Sequence, residues 1–281
     1  MNQPVLDVNN IRVPSLPTGI AHLMEILAND EISFAELTRE LERYATICAR
    51  LISLANSAWA ATSAPITTVE GACKHLGFNV VKSTSIALAV SSPFSPSKCP
   101  AFSCDRFWQD ALSTAEIATI LAEQVESSLD TCSQTVRTAG LLHNLGLLLL
   151  VDSLPEATGR ALQAVQADPT RSLHKELSYH CGIDYCQAAQ TLFGSWGFPS
   201  ELTDIIVHQN DEEYRGNLWK ASQLLMLSKQ VVGSLREPPE DINQLRFIEV
   251  DGISQGKVLS LRLKMAPRVQ QLEKLAGLLF S

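Results

Sequence analysis

Ala139-Gly140-Leu141-Leu142-His143-Asn144-Leu145-Gly146 is the stretch on which the reading of this chain turns. Leu141, Leu142, Leu145 and Leu148 return to one helical face and send an apolar stripe inward, while His143 and Asn144 interrupt it. The run from Leu141 to Val151 is the longest apolar stretch, and with that polar pair inside it falls short of a bilayer span. A histidine set among leucines needs helices packed around it, and the flanking sequence supplies their patterns.

Upstream, Asp105 to Val125 reads as a long amphipathic helix, and Thr131-Cys132-Ser133-Gln134 has the form of a cap for the helix that carries the leucines. Downstream, Pro155 and Pro199 suit first helical turns, and Gly194, Gly197 and Pro199 punctuate a turn around Trp196. A helix from about 213 runs through Leu218, Leu224 and Leu227 to a break at Pro238-Pro239. Lys257 to Lys264 reads equally as a short strand or a helix, and Val269, Leu272, Leu275, Leu278 and Leu279 fit a closing helix.

Toward the N-terminus, Pro93, Pro96 and Pro100 end the apolar segment Val80 to Val90 and mark a subdomain boundary. Before it, Ser33-Phe34-Ala35-Glu36 forms a capping box, Thr67-Thr68-Val69-Glu70 repeats that logic for a helix over about 68–76, and Gly77 supplies the left-handed residue that ends it. Ile20, Leu23, Met24 and Leu27 keep helical spacing after Pro17, whereas the opening residues with Asn9-Asn10 show no period. The expected architecture is all-α in two parts: a lead-in over 1–13, a helical subdomain over 14–97, and a second over 98–281 with a C-terminal extension.

At 281 residues and 46% hydrophobic composition the chain can bury a large core without staples. Seven scattered cysteines with no C-x-x-C pair suit reduced thiols in a cytoplasmic protein. A net charge of −8 with no basic cluster argues against nucleic-acid binding and against attachment to a membrane surface. Phosphate-binding glycine loops and a nucleophile elbow are absent.

The order of several motifs resembles the HDOD family, a non-enzymatic relative of the HD-domain metal-dependent phosphohydrolases. Pro14-Ser15-Leu16-Pro17, Arg50 through Ser57, Ile66 through Ala72, Phe107-Trp108, Ala139 through Gly146, and Trp196-Gly197-Phe198-Pro199 before His208 carry the likeness over about 14–210. Tyr44-Ala45 stands where the family usually has Asp-Pro. The resemblance implies an all-α HD-like fold in a bacterial signalling context.

It also locates the metal ligands that an HD phosphohydrolase needs, since imidazoles and carboxylates together hold an ion that activates water. Here Gln109-Asp110 replaces the upstream histidine and His143-Asn144 the His-Asp pair. Tyr185 takes a third histidine position, and His208-Gln209 a His-His pair. Asp110, His143, Asp184 and His208 are the vestigial candidates for a single divalent metal; the competing reading of His143 is a core histidine with satisfied nitrogens. Helical geometry is expected to splay His174, His180, Cys181 and Cys186, and Asn56-Ser57 to cap or join helices.

No cofactor is expected. The implied function is a non-catalytic regulatory module that binds signalling proteins in trans, with a small nucleotide as ligand, in a groove beside the connector 92–100. The alternative is a divergent metal-dependent phosphohydrolase acting on nucleotides or cyclic dinucleotides. An apolar terminal helix over Leu272 to Phe280 leaves room for a homo-oligomer.

Overall fold

Helix-forming periodicity and its stop signals account for most of the architecture. The computed structural model describes residues 11–16, 18–28, 32–57, 64–236 and 247–280, and among these it is helical throughout, with only an isolated bridge at Val250 and Ile253. The first part contains α1 (Thr18–Ala28), α2 (Phe34–Leu41), α3 (Ala45–Ala55), α4 (Val69–Leu76) and α5 (Phe78–Ser91). Then follow α6 (Cys104–Gln124), α7 (Ser133–Leu142), α8 (Leu145–Ser153), α9 (Pro155–Ala167), α10 (Leu173–Cys181), α11 (Tyr185–Trp196), α12 (Ser200–Val207), α13 (Trp219–Arg236) and α14 (Gln255–Phe280). Pro17, Pro238-Pro239 and the opening Asn9-Asn10 lie outside the described residues, as do the side chains of Met24, Leu279 and Phe280.

Local chemistry sets the ends of these helices. Ser33 caps α2 in a full capping box with Glu36, Thr68 caps α4 through Gly71 N, and Pro155 occupies the first turn of α9. Gly77 has the expected positive φ of 83°, but its ψ of 156° is extended, so it turns the chain straight from α4 into α5. Two expectations need correction, and one open choice is decided. Cys132, not Thr131, stands at the N-cap of α7 and makes no side-chain capping bond. The helix expected from about 213 begins at Trp219, because Leu218 adopts a left-handed φ of 55° and breaks the run. Of the strand and helix readings open for Lys257 to Lys264, the helix forms: Val258, Leu261, Met265, Val269 and Leu272 are buried at the three-to-four-residue spacing of one face of α14.

The buried apolar residues from Leu23 to Ala276 form one continuous cluster. Its axis is α6, which packs against α7, α13 and α14. The two glycines of the diagnostic stretch set the closest approaches. A Cβ on Gly140 would lie 2.8 Å from Ala115 Cα, bringing α7 hard against α6, and one on Gly146 would lie 1.9 Å from Tyr185 O, so α8 meets the start of α11 backbone to backbone. On α14, Leu272 and Leu275 point inward while Leu278 is exposed.

The quoted motifs meet in space. Trp196 Nε1 donates to Pro14 O at 2.8 Å, and the Trp196 ring lies beside Phe94 of the connector. Asp152 pins that connector by accepting from Ser95 N at 3.1 Å and Lys98 Nζ at 2.7 Å. Asn56 ends α3, and its amide exchanges bonds with Ile66 N and Ile66 O, which brings the two ends of the segment between α3 and α4 together. Tyr44, in place of the usual Asp-Pro, makes no side-chain cap and instead ties the start of α3 to α1 through Gly19 O at 2.5 Å.

Candidate functional site

The junction between α7 and α8 carries His143 and Asn144, and Gly140 and Gly146 on either side hold it against α6 and α11. His143 is 2% exposed, and its Nδ1 lies 2.7 Å from Gly140 O. A carbonyl only accepts, so Nδ1 carries a proton. Burial, then the positive charge of Lys229, push the imidazole pKa down to about 3, against the pull of the Gly140 bond.

A cavity of about 540 Å³ opens beside this junction, lined among others by Arg106, Asp110, His143, Asn144, Lys229 and Arg236. Asp110 is already engaged: its carboxylate lies 2.7 Å from Arg236 Nη1. Burial raises the Asp110 pKa, and Arg236 and Arg106 pull it back. The preceding Gln109 also faces Arg236, at 3.5 Å. Both residues at the upstream-histidine position are thus directed to one guanidinium of α13.

Lys229, also on α13, is the central group that sequence reasoning missed. Its ammonium donates to Asn210 Oδ1 at 2.7 Å, Gln209 Oε1 at 2.8 Å and Tyr185 Oη at 3.2 Å. Burial among these neutral acceptors lowers its pKa to about 8. Fully buried Gln209 donates in turn to His143 O at 2.7 Å and Ile206 O at 2.9 Å. Tyr185 and Gln209 both stand at expected histidine positions, and their joint replacement was the available signal for a cation between them.

The four candidate ligands fall in three places. Asp110 and His143 share the cavity. Asp184 caps α11, with Oδ1 accepting from Cys186 N at 2.6 Å and Gln187 N at 2.9 Å, while Oδ2 lies 3.3 Å from His174 Nδ1. His208 ends α12 with Nδ1 2.9 Å from Asp204 O, its ring stacked on Tyr214 at a centroid distance of 3.5 Å.

The expected splaying of the second histidine–cysteine group is only half right. His180 turns to Glu176 at 3.7 Å, and Cys181 Sγ lies 3.6 Å from Thr158 Oγ1. His174 and Cys186 converge instead with Asp184, their donor atoms all within 4.8 Å of one another. The left-handed Gly182 after α10 reverses the chain, so α10 and the first turn of α11 present these groups to one point. Burial drives the Cys186 thiol pKa up to about 12, partly offset by Lys229.

The model of the HDOD domain matches residues 13–212. No curated protein matches the chain. Among solved structures, a protein of Marinobacter aquaeolei VT8 provisionally assigned to signal transduction has a TM-score of 0.81 at 23% identity, covering 100% of this chain and 62% of its own. A provisionally assigned phosphohydrolase of Shewanella amazonensis SB2B has a TM-score of 0.72 at 25% identity over 99% of both chains. An HDOD domain protein of unknown function from Geobacter sulfurreducens has a TM-score of 0.70 at 17% identity, covering 96% of this chain and 94% of its own. This chain therefore spans less than two thirds of the Marinobacter protein.

Proposed function

The chain belongs to the HDOD family, and from that premise we propose that it is a non-catalytic regulatory module of signal transduction, which binds signalling proteins in trans and takes a nucleotide-class anion as its small ligand. The observation that carries this reading is the Lys229 ammonium, bonded to Asn210 and to Tyr185 and Gln209, the last two standing where the family resemblance puts histidines. A divalent ion does not fit this donor set. Asn144 brings no charge, Asp110 is paired with Arg236, and the ammonium repels a second cation across neutral oxygens. No step of phosphoester hydrolysis is therefore assigned to His143.

The cavity supports the ligand part of the reading. Its volume of about 540 Å³ suits a small molecule, and Arg106, Lys229 and Arg236 outnumber the Asp110 carboxylate among the charged groups that line it. The pocket proposed here lies between α6 and α13, and no residue of the connector 92–100 is among the residues lining it.

The test is hydrolysis of bis-p-nitrophenyl phosphate with Mn²⁺, Fe²⁺ or Mg²⁺, comparing wild type with His143→Ala. The expected result is no turnover above the variant in any metal. Turnover that disappears in His143→Ala would establish the phosphohydrolase alternative and end the regulatory-only reading.

A further inference from the structure

The convergence of His174, Asp184 and Cys186 is used neither by the cavity nor by the Lys229 cluster. One imidazole nitrogen, one carboxylate and one sulfur, within 4.8 Å of one another, form the mixed donor set of a transition-metal site. The 3.3 Å between His174 Nδ1 and Asp184 Oδ2 matches the edge of a tetrahedron whose metal–ligand bonds are about 2.0–2.2 Å.

A second observation points the same way. Asn210 Nδ2 lies between His174 Nδ1 at 3.4 Å and Cys186 Sγ at 3.3 Å, so a positive amide edge faces two groups with metal-binding lone pairs. His174 Nδ1 accepts from the Asn210 amide, so its lone pair lies 3.3 Å from Asp184 Oδ2 with no proton between the two. A cation held by Nδ1, an Asp184 carboxylate oxygen and Sγ would sit between these facing lone pairs.

Charge separates this place from the one rejected above. Asp184 and a Cys186 thiolate together bring two negative charges, enough to neutralise a dication and to stand between it and Lys229. The residues around His143 offer no free carboxylate. Asp184 is also held in place independently of any ion, since its Oδ1 is spent on the N-terminus of α11 while Oδ2 lies beside His174 Nδ1.

We propose that His174, Asp184 and Cys186 form a Zn²⁺ site, with the fourth position open to solvent on the side of the 36%-exposed His174 side chain. Binding exchanges the Cys186 S–H bond for an S–Zn bond and releases the thiol proton to water, with no redox change. Nitrogen and sulfur donors select Zn²⁺ over Mg²⁺ and Ca²⁺. The site does not depend on the non-catalytic reading of the neighbouring cavity.

Chelator-stripped full-length protein titrated with Co²⁺ tests it, because Co²⁺ in such a site shows visible d–d bands and a near-ultraviolet thiolate-to-metal band. One equivalent is expected to produce both, and Zn²⁺ to abolish them. Cys186→Ser should lose the thiolate band and His174→Gln should weaken binding by at least about tenfold, whereas Cys132→Ser and His143→Gln should titrate like wild type. Circular dichroism establishes that each variant is folded; should Cys186→Ser fail to fold, the exposed-edge variant His174→Gln decides. A wild-type protein without the thiolate band, or a band that survives in both Cys186→Ser and His174→Gln, overturns the site.

Discussion

Two polar clusters meet at the start of α11, and they are built on opposite principles. Around Lys229 a single cation is surrounded by the neutral oxygens of Tyr185, Gln209 and Asn210. Around Asp184 an anion, an imidazole and a thiol face one another with only an amide edge between them. The first is internally satisfied and ties α11, the turn after α12, and α13 together; the second sets lone pairs against one another with no proton between them. A residue's place in a familiar pattern thus says less about ion binding than the charge and hydrogen-bond balance of what surrounds it.

The comparison can be broken outright at the shared support. Gly146→Ala places a methyl 1.9 Å from Tyr185 O, inside the backbone contact that positions both clusters. Destabilisation at or beyond the upper end of the roughly 1–3 kcal/mol typical of overpacking is expected in denaturant unfolding. A change under about 0.5 kcal/mol, the range of ordinary surface substitutions, would mean that α8 and α11 are not in that contact.

Gln209→Leu sharpens the claim that the Lys229 cluster is structural. It leaves the ammonium short of an acceptor and His143 O without its donor, and should cost about 2–3 kcal/mol in the same measurement. Equal stability to wild type would show that the cluster contributes nothing to the fold.

The pH dependence examines the neutral His143 beside it. Its pKa is about 3 folded against 6.5 unfolded, so between these values the unfolded chain binds more protons. The stability it contributes is complete above pH 6.5 and is lost as pH falls toward 3, at up to about 1.4 kcal/mol per pH unit. His143→Gln should flatten that part of the stability profile; an unchanged slope would place a charged ring in the folded protein.

The smallest effect belongs to the second cluster without metal. His174→Gln removes one partly exposed ion pair, and the metal-free protein should lose no more than about 0.5–1 kcal/mol. A loss as large as that of Gln209→Leu would erase the distinction between a structural and an unfilled cluster.

Much of this molecule was legible along the chain because its helices are bounded by local chemistry. Ser33 with Glu36, Thr68, Pro155 and the glycines at 77 and 197 act within a few residues of themselves, so capping and periodicity located α2, α4, α9 and the end of α11. The misreadings came where a local signal competed with packing. Leu218 is driven into a left-handed turn while burying its side chain, which delays the start of α13; the strand-or-helix choice at Lys257 to Lys264, which its imperfect alternation leaves open, is decided by the buried stripe of α14. The reading of His143 as a core histidine bonded to a carbonyl matches its Gly140 contact, because an imidazole among leucines has to satisfy its N–H nearby.

What the sequence determined by itself was the all-α class, the order of motifs that carries the family, and the absence of a full histidine and carboxylate set around His143. Only the tertiary structure decided where the charges go. Arg236 meets Asp110, Lys229 meets Tyr185 and Gln209, and Cys186 meets His174 across separations that no local window spans. Each of these meetings depends on which face of a helix turns inward and on how closely Gly140 and Gly146 let neighbouring helices approach, and those are properties of packing rather than of spacing along the chain.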